Sequence, residues 1–333
     1  TPNGRIYDLL VHDFGAGPAL YAAGQFTDIG GVSANHIARW DGDSWAPLGS
    51  GLTGRAEVLY SFDLAGRSRI IVGGRFISAG GISVGRVAAW NGGQWEAIGF
   101  GADDNVEGIG EYDHPVTGER VLIIGGRFTN TDGNIADGAA YWTGAEWNAL
   151  YTEQAIFENQ NDHQAWTFEW GDPGGDGQNA RLFAGGWITQ TGSPIINNVL
   201  EIDDGVVSGM NGGTNNTVHT LLSTDIFTEN ELLFVGGQYS TAGTVSTGPF
   251  AAWDGDKWIG FGRLTSNGTV IKDIAVFDDG SDTGAALFAG GNMNCANGYT
   301  AYGVAKLACA PGSEDLIFRS GFESAVNSGG VEC

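Results

Sequence analysis

Short, mainly apolar runs that end at glycine recur along the chain, as at residues 69–72, where Arg69 precedes three apolar residues, and at 232–235. Runs of this length bounded by glycine predict buried strands. Each run leads into a box in which a small residue and a glycine come just before an aromatic residue or, in the last copy, a methionine. The six box glycines lie 50 to 60 residues apart and are Gly24, Gly74, Gly126, Gly186, Gly237 and Gly291. A period near fifty predicts one supersecondary unit repeated six times.

A tryptophan, a tight turn and a second tryptophan follow the box in four of the six copies. The pairs are Trp40 with Trp45, Trp90 with Trp95, Trp142 with Trp147, and Trp253 with Trp258. Asp-Gly or Asn-Gly at three of these turns is a strong hairpin signal, because the favoured turns need a positive φ. We expect the two indoles of each pair to meet across the strands. The sixth copy lacks the pair, and residues 316–318 are its predicted outer strand.

A further strand is predicted before each glycine box, at residues 7–13, 57–63, 107–113, 164–170, 219–225 and 272–278. Five of these six segments end in aspartate. We expect that aspartate to cap the following turn through nearby backbone groups. The paired glycines are expected to allow close contact between neighbouring units and a positive φ where the strand ends.

These patterns predict an all-β fold, a six-bladed β-propeller with four-stranded antiparallel blades. The propeller is expected to span residues 1–322, with a tail at 323–333. The predicted blades cover about 4–53, 54–102, 103–160, 161–214, 215–266 and 267–322. No segment has helical periodicity.

The chain is strongly acidic, with 39 Asp and Glu against 15 Lys and Arg and a net charge of −24. Such a surface repels phosphate backbones, so nucleic acid is not an expected partner. No apolar run is long enough for membrane insertion. Few lysines, abundant Gly, Asn, Thr and Trp, and cysteines confined to one end predict a secreted or cell-surface protein.

Three cysteines, Cys295, Cys309 and Cys333, form an odd set near the end of the chain. Cys295 and Cys309 flank one predicted hairpin and should lie roughly 20 Å apart, beyond disulfide reach. Cys333 is therefore expected to pair with one of them. Pairing with Cys295 is slightly favoured, and pairing with Cys309 is the alternative.

The repeat unit, clear at residues 24–51 and 74–101, resembles the kelch-like repeat of secreted bacterial propellers. It is also similar to the propeller of fungal cortical polarity-marker proteins. Residues 316–323 resemble an ending found on secreted proteins of some Gram-negative bacteria. Kelch-type propellers include copper radical oxidases similar to galactose oxidase, but no constellation here matches their Cys–Tyr cofactor and copper ligands. The resemblance implies a propeller fold and an interaction role.

The starts of the six inner strands are predicted to form a ring around one mouth of the channel. The ring residues are Tyr7, Glu57, Glu107, Gln164, His219 and Lys272. The opening of a channel is exposed to water and is therefore expected to be lined by polar residues. This is the simpler interpretation of the six residues. Paired carboxylates at a mouth also suit acid/base chemistry.

Aspartate-rich loops at residues 132–137, 172–176 and 278–282 are weak Ca²⁺ candidates and are better interpreted as solvated turns. The five histidines, His12, His36, His114, His163 and His219, show no metal-ligand spacing. No metal site and no cofactor is expected.

The sequence thus favours a non-catalytic binding or assembly module that acts at the cell surface. Its expected partners are a protein, a glycan or further copies of itself, as in a filament or matrix. The alternative is a glycan-acting hydrolase or lyase, with Glu57 and Glu107 as acid and base and His219 and Lys272 as their partners.

Overall fold

The computed structural model describes residues 1–114, 117–150, 164–175, 180–190, 195–203, 206–228, 230–261, 268–278, 285–293, 295–296, 299–300, 303–309 and 316–320. All regular elements within these ranges are β-strands. Within the same ranges the structure contains no helix long and apolar enough to cross a membrane.

The described strands form six four-stranded antiparallel sheets, the blades of a six-bladed β-propeller, as predicted. In each blade the four long strands pair in chain order. Two compact units divide the chain, Thr1–Ala165 and Trp166–Cys333. Each unit is described by itself below.

The first unit holds three blades. The strands of blade one are β1 (Ile6–His12), β2 (Ala19–Gly24), β3 (Asp28–Ile29), β4 (Val32–Ser33), β5 (Ile37–Trp40) and β6 (Trp45–Pro47). Those of blade two are β7 (Ala56–Asp63), β8 (Ser68–Gly74), β9 (Ser78–Ala79), β10 (Ile82–Ser83), β11 (Val87–Trp90) and β12 (Trp95–Ala97). Those of blade three are β13 (Val106–Asp113), β14 (Arg120–Gly126), β15 (Asn130–Thr131), β16 (Asn134–Ile135), β17 (Ala139–Trp142) and β18 (Trp147–Ala149).

Three more blades follow along the chain. Blade four has β19 (Gln164–Gly171), β20 (Arg181–Gln190), β21 (Ile196–Asp203) and β22 (Val206–Ser208). Blade five has β23 (Val218–Thr224), β24 (Leu232–Gly237), β25 (Thr241–Ala242), β26 (Val245–Ser246), β27 (Phe250–Trp253) and β28 (Trp258–Gly260). Blade six has β29 (Val270–Phe277), β30 (Ala286–Asn292), β31 (Cys295–Ala296), β32 (Tyr299–Thr300), β33 (Val304–Cys309) and β34 (Leu316–Ser320).

The second strand is largely buried in several blades. β8 is buried at every position except its first, and β24 is buried throughout. A strand that is covered on both faces needs apolar or small residues at every position. This is why the apolar positions of the predicted runs at 69–72 and 232–235 are consecutive instead of alternating.

The first small residue of the glycine box touches the next blade. A Cβ added at Gly73 would lie 2.7 Å from Cγ1 of Val106, in the inner strand of blade three. Blade one has Ala23 at this box position, and the residue that corresponds to Val106 is then Ala56. Blade one thus has a larger box residue than blade two, Ala23 instead of Gly73, and the facing residue is smaller, Ala56 instead of Val106. Close packing between the blades requires this compensation.

The second glycine of the box allows a β-bulge within its own blade. A Cβ on Gly74 would overlap the carbonyl oxygen of Arg55, next to a register shift between Ala56 and Val58. The same overlap with the inner strand exists at Gly24, Gly126 and Gly237. None of these four glycines has a positive φ. The predicted positive φ is therefore wrong for them, and close backbone contact is the reason that glycine is needed.

The four tryptophan hairpins form as predicted. The strand register pairs Trp90 directly with Trp95, and their ring centroids lie 5.2 Å apart. Within this turn only Gly92 has a positive φ, as in a turn with glycine at its first central position. The side-chain oxygen of Asn91 accepts hydrogen bonds from the amides of Gly93 and Gln94.

In three of these hairpins the second tryptophan also bonds to the preceding blade. The indole N–H of Trp147 donates to the carbonyl oxygen of Ile98 at 2.8 Å. The equivalent bonds run from Trp95 to Leu48 at 2.9 Å and from Trp258 to Met210 at 2.8 Å. These bonds join residues almost one repeat apart, and the sequence did not predict them.

The capping prediction concerns the aspartates at the strand ends. Asp13 caps its turn, because its Oδ1 accepts from the amides of Gly15 at 2.7 Å and Gly17 at 2.9 Å. Asp113 forms an ion pair with Arg120 at 2.8 Å. Residues 115 and 116 of the following turn lie outside the described ranges, so capping by Asp113 stays a prediction.

The end of the chain completes blade six. β34 pairs with β33 over five residue pairs, which confirms the predicted outer strand at 316–318. Cys333 lies outside the described residues, so its pairing with Cys295 or Cys309 stays a prediction. The same holds for the predicted tail at 323–333.

Candidate functional site

Five of the six predicted mouth residues occupy the same structural position, the extra residue of a β-bulge. The register between first and second strand shifts on either side of Tyr7, Glu57, Glu107, His219 and Lys272. A bulge redirects one side chain away from the regular alternation of the strand. The box glycine that permits the bulge therefore also sets the direction of the candidate residue.

In the first unit, two glutamates alternate with three arginines. We call this set, Arg55, Glu57, Arg75, Glu107 and Arg127, the arginine–glutamate network. Glu57 contacts Arg55, and its Oε1 lies 3.5 Å from Nε of Arg75. Glu107 Oε1 lies 3.6 Å from Nη2 of Arg75 and 3.4 Å from Nε of Arg127. Both glutamates thus approach the same central guanidinium.

Tyr7 extends this network at its first end. Its hydroxyl donates to Oε1 of Gln25 at 3.1 Å. The guanidinium of Arg55 lies 5.5 Å from the centroid of the Tyr7 ring, a distance at which a cation and an aromatic face attract each other. Gln25, Arg75 and Arg127 each come directly after Gly24, Gly74 and Gly126, respectively.

The arrangement limits what the two glutamates can do. A glycosidase needs a water molecule or a sugar between its two carboxyl groups, and one of these groups must carry a proton. Here the guanidinium of Arg75 lies between Glu57 and Glu107. The network holds three cations and two anions, so it is a local positive feature in a chain of net charge −24.

In the second unit, His219 and Lys272 lie together. Nζ of Lys272 is 3.1 Å from Nε2 of His219. The indole of Trp166 stacks on the imidazole, with ring centroids 5.2 Å apart and an angle of 6° between the planes. Burial lowers the pKa of His219 to about 4, and the charge of Lys272 adds to this effect. His219 is therefore neutral near pH 7 and accepts a hydrogen bond from the ammonium group.

The low pKa of His219 predicts a loss of stability in acid. The ordinary pKa of 6.5 applies in the unfolded chain, which therefore binds the proton first as the pH falls. The free energy of unfolding should be highest above pH 6.5 and should fall between pH 6.5 and pH 4. After allowance for solvent screening, we expect a loss of about 1–2 kcal/mol from this residue.

Urea denaturation of the native chain and of a His219→Gln variant, at pH 7.5 and at pH 4.5, measures this contribution. The variant should lose less stability on acidification than the native chain. Burial also lowers the pKa values of His12 and His36, so part of the acid sensitivity should remain. An unchanged pH dependence in the variant would show that His219 does not contribute.

Two other candidate residues, Gln164 and Asp132, have positions that suit a structural role. Gln164 begins β19 and is only 4% exposed. Asp132, from a weak Ca²⁺ candidate loop, accepts hydrogen bonds from the amides of Phe100 at 2.6 Å and Trp147 at 3.0 Å. Within the described ranges, no group of three or more His, Cys, Asp or Glu side chains could hold a metal ion. His163, Asp176, Asp279 and Asp282 lie outside those ranges.

Sequence reasoning found the glutamates but not the cations beside them. Arg75 and Arg127 follow the box glycine, and Arg55 comes two residues before Glu57. The available signal was that the residue after each box glycine is polar or aromatic in all six copies. No sequence pattern distinguishes Trp166, the third residue of β19, as part of the candidate site.

Comparison with known proteins gives no further assignment. No protein-family model matches the chain, and no curated protein matches it significantly.

Proposed function

We propose that this chain is a secreted or cell-surface propeller that binds or assembles without catalysing a reaction. The observation that carries the proposal is the pairing of the candidate acid and base groups with cations. Glu57 and Glu107 share the guanidinium of Arg75, and His219 contacts Lys272. Side chains held in such pairs can stabilise a surface and present it to a partner.

The proposal includes membership of the kelch-like group of propellers. It is supported by the glycine box, the tryptophan hairpin and the period near fifty residues. It also includes self-association as one mode of assembly. A surface location is supported by the acidic, glycine-rich and lysine-poor composition.

Two measurements on the full chain test this proposal. Static light scattering over a wide range of concentration should show association of the full chain. A chain that ends at residue 320 keeps β34 and loses only 321–333. We propose that this terminal segment joins neighbouring copies, so the shortened chain should stay monomeric. In parallel, incubation with neutral and acidic polysaccharides should release no reducing ends.

Each outcome bears on one part of the proposal. If the full and shortened chains are both monomeric, self-association fails. If reducing ends are released by the native chain and are lost in a Glu57→Gln or Glu107→Gln variant, the glycan-acting enzyme replaces the non-catalytic module. Activity of that kind would require that Arg75 moves away from the two carboxylates.

A further inference from the structure

Blade four departs from the other blades at its glycine box. The box reads Gly185-Gly186-Trp187-Ile188, so its bulky aromatic residue comes one position earlier than Phe76 in blade two. Ile188 takes the buried position, with no exposed surface, whereas Trp187 is 44% exposed. In this blade the large aromatic side chain of the box therefore lies at the surface, and an isoleucine occupies the core position.

The connection after this box also differs. The five other blades insert a two-stranded hairpin between their second and third strands, within the described residues. Blade four instead extends β20 to ten residues and β21 to eight. A cleft of about 420 Å³ lies beside these two strands, against the loop at residues 212–216 that precedes blade five and against the β25–β26 hairpin of that blade. This volume is within the range of small-molecule sites.

The cleft is lined by neutral polar groups around one aromatic ring. Its side chains include Trp187, Asn197, Asn198, Thr214, Asn216 and Thr241, and the described lining contains no charged residue. Neutral lining is unusual for a surface site in a chain with 39 acidic residues. The cleft therefore offers stacking and hydrogen bonds but no ion pair.

Three asparagines keep hydrogen-bonding capacity for a ligand. The Nδ2 atoms of Asn197 and Asn198 donate to the carbonyl oxygens of Gly212 at 2.9 Å and Thr214 at 2.8 Å. Their Oδ1 acceptors have no partner among the described residues. In Asn216 the oxygen is the bonded atom, because Oδ1 accepts a hydrogen bond from the amide of Thr217 at 2.8 Å. Its Nδ2 group is available to donate to a ligand. The cleft thus presents both acceptors and donors.

The backbone of Asn198 adopts a conformation that is unfavourable for most residues. It is only 5% exposed, and its φ is +63°, in the left-handed region. Asparagine tolerates this conformation better than most residues do, but glycine would adopt it more easily. The Oδ1 of Asn198 has no partner among the described residues and is not enclosed, so it can accept a hydrogen bond from a ligand hydroxyl.

We propose that this cleft binds a neutral oligosaccharide, with one sugar ring stacked on the indole of Trp187. A pyranose ring has an apolar face of C–H groups that fits an aromatic ring, and its hydroxyls both donate and accept hydrogen bonds. An anionic glycan would meet no cation in the cleft and would be repelled by the acidic protein. A peptide would need apolar pockets for its side chains, and the lining has a single large apolar group.

Titration calorimetry of the full chain with neutral hexasaccharides tests this inference. The probes are β-1,4-, β-1,3- and α-1,4-linked glucose and β-1,4-linked mannose hexasaccharides. At least one should bind, with an affinity that changes little with salt because no ion pair forms. Trp187→Ala should weaken binding by about tenfold or more. Gln238→Ala changes the same box position in blade five, outside the cleft, and should stay within about twofold of the native chain.

A second variant guards against an effect of Trp187 on folding. Asn198→Gly keeps the left-handed backbone and removes the amide, and it should also weaken binding severalfold. The inference is overturned if none of the hexasaccharides binds or if Trp187→Ala binds as well as the native chain. It is also overturned if only heparin, polygalacturonate or an unstructured peptide binds.

This inference deepens the proposed binding function and rests on it, but the two fail separately. Absence of oligosaccharide binding, with association of the full chain and no release of reducing ends, would remove only the cleft. Cleavage of a bound hexasaccharide would instead remove the non-catalytic proposal, even if Trp187 binds the sugar.

Discussion

Replacing Gly74 with alanine should lower the free energy of unfolding by about 3 kcal/mol, at the upper end of the cost of overpacking. The new Cβ would overlap the carbonyl oxygen of Arg55 and lie 3.0 Å from Cα of Ala56. Both are backbone atoms, so no side-chain rotation can relieve the contact. The β-bulge at Glu57 must then open, and urea denaturation followed by circular dichroism measures the loss.

Gly93→Ala is the matched control. Gly93 lies in the turn of the same blade without a positive φ, and an added Cβ there would meet only Oδ1 of Asn91, at 3.8 Å. We expect this variant to stay within about 0.5 kcal/mol of the native chain. If Gly74→Ala is equally stable, backbone contact is not the reason for the second glycine of the box.

The fold could be predicted from the sequence because its signals are local and periodic. The Trp90–Trp95 hairpin lies within six residues, and the apolar run before Gly74 is continuous. The repeat period does not determine how closely neighbouring blades pack. The bond from Trp95 to the carbonyl of Leu48 spans 47 residues, and the contact of Gly73 with Val106 depends on how closely two sheets pack.

The candidate site could be predicted only in part, for the same reason. Alignment of the copies placed Glu57 and Glu107 at equivalent positions, and the structure places both at a β-bulge. The alignment did not show that Arg75 lies between them, because the bulge redirects the side chains. The change at Trp187 is visible as an altered box, but the cleft beside it depends on how β20 and β21 continue past the box in blade four.

Replacing Trp147 should have the largest effect on stability of any single change considered. Its side chain has no exposed surface, its indole N–H donates to the carbonyl of Ile98 at 2.8 Å, and its ring lies 5.3 Å from that of Trp142. Trp147→Ala leaves a cavity and an unpaired carbonyl, so we expect a loss of about 4 kcal/mol. Trp147→Phe keeps most of the packing and loses the hydrogen bond, so we expect about 2 kcal/mol.

The control for Trp147 is the exposed tryptophan of blade four. Trp187→Ala removes the same kind of side chain from the surface, and its free energy of unfolding should change by less than about 0.5 kcal/mol. Equal stability of Trp147→Phe and the native chain would mean that the hydrogen bond to Ile98 does not hold blade three to blade two. A large loss for Phe and a small further loss for Ala would mean that this bond, and not the packing of the indole, joins the two blades.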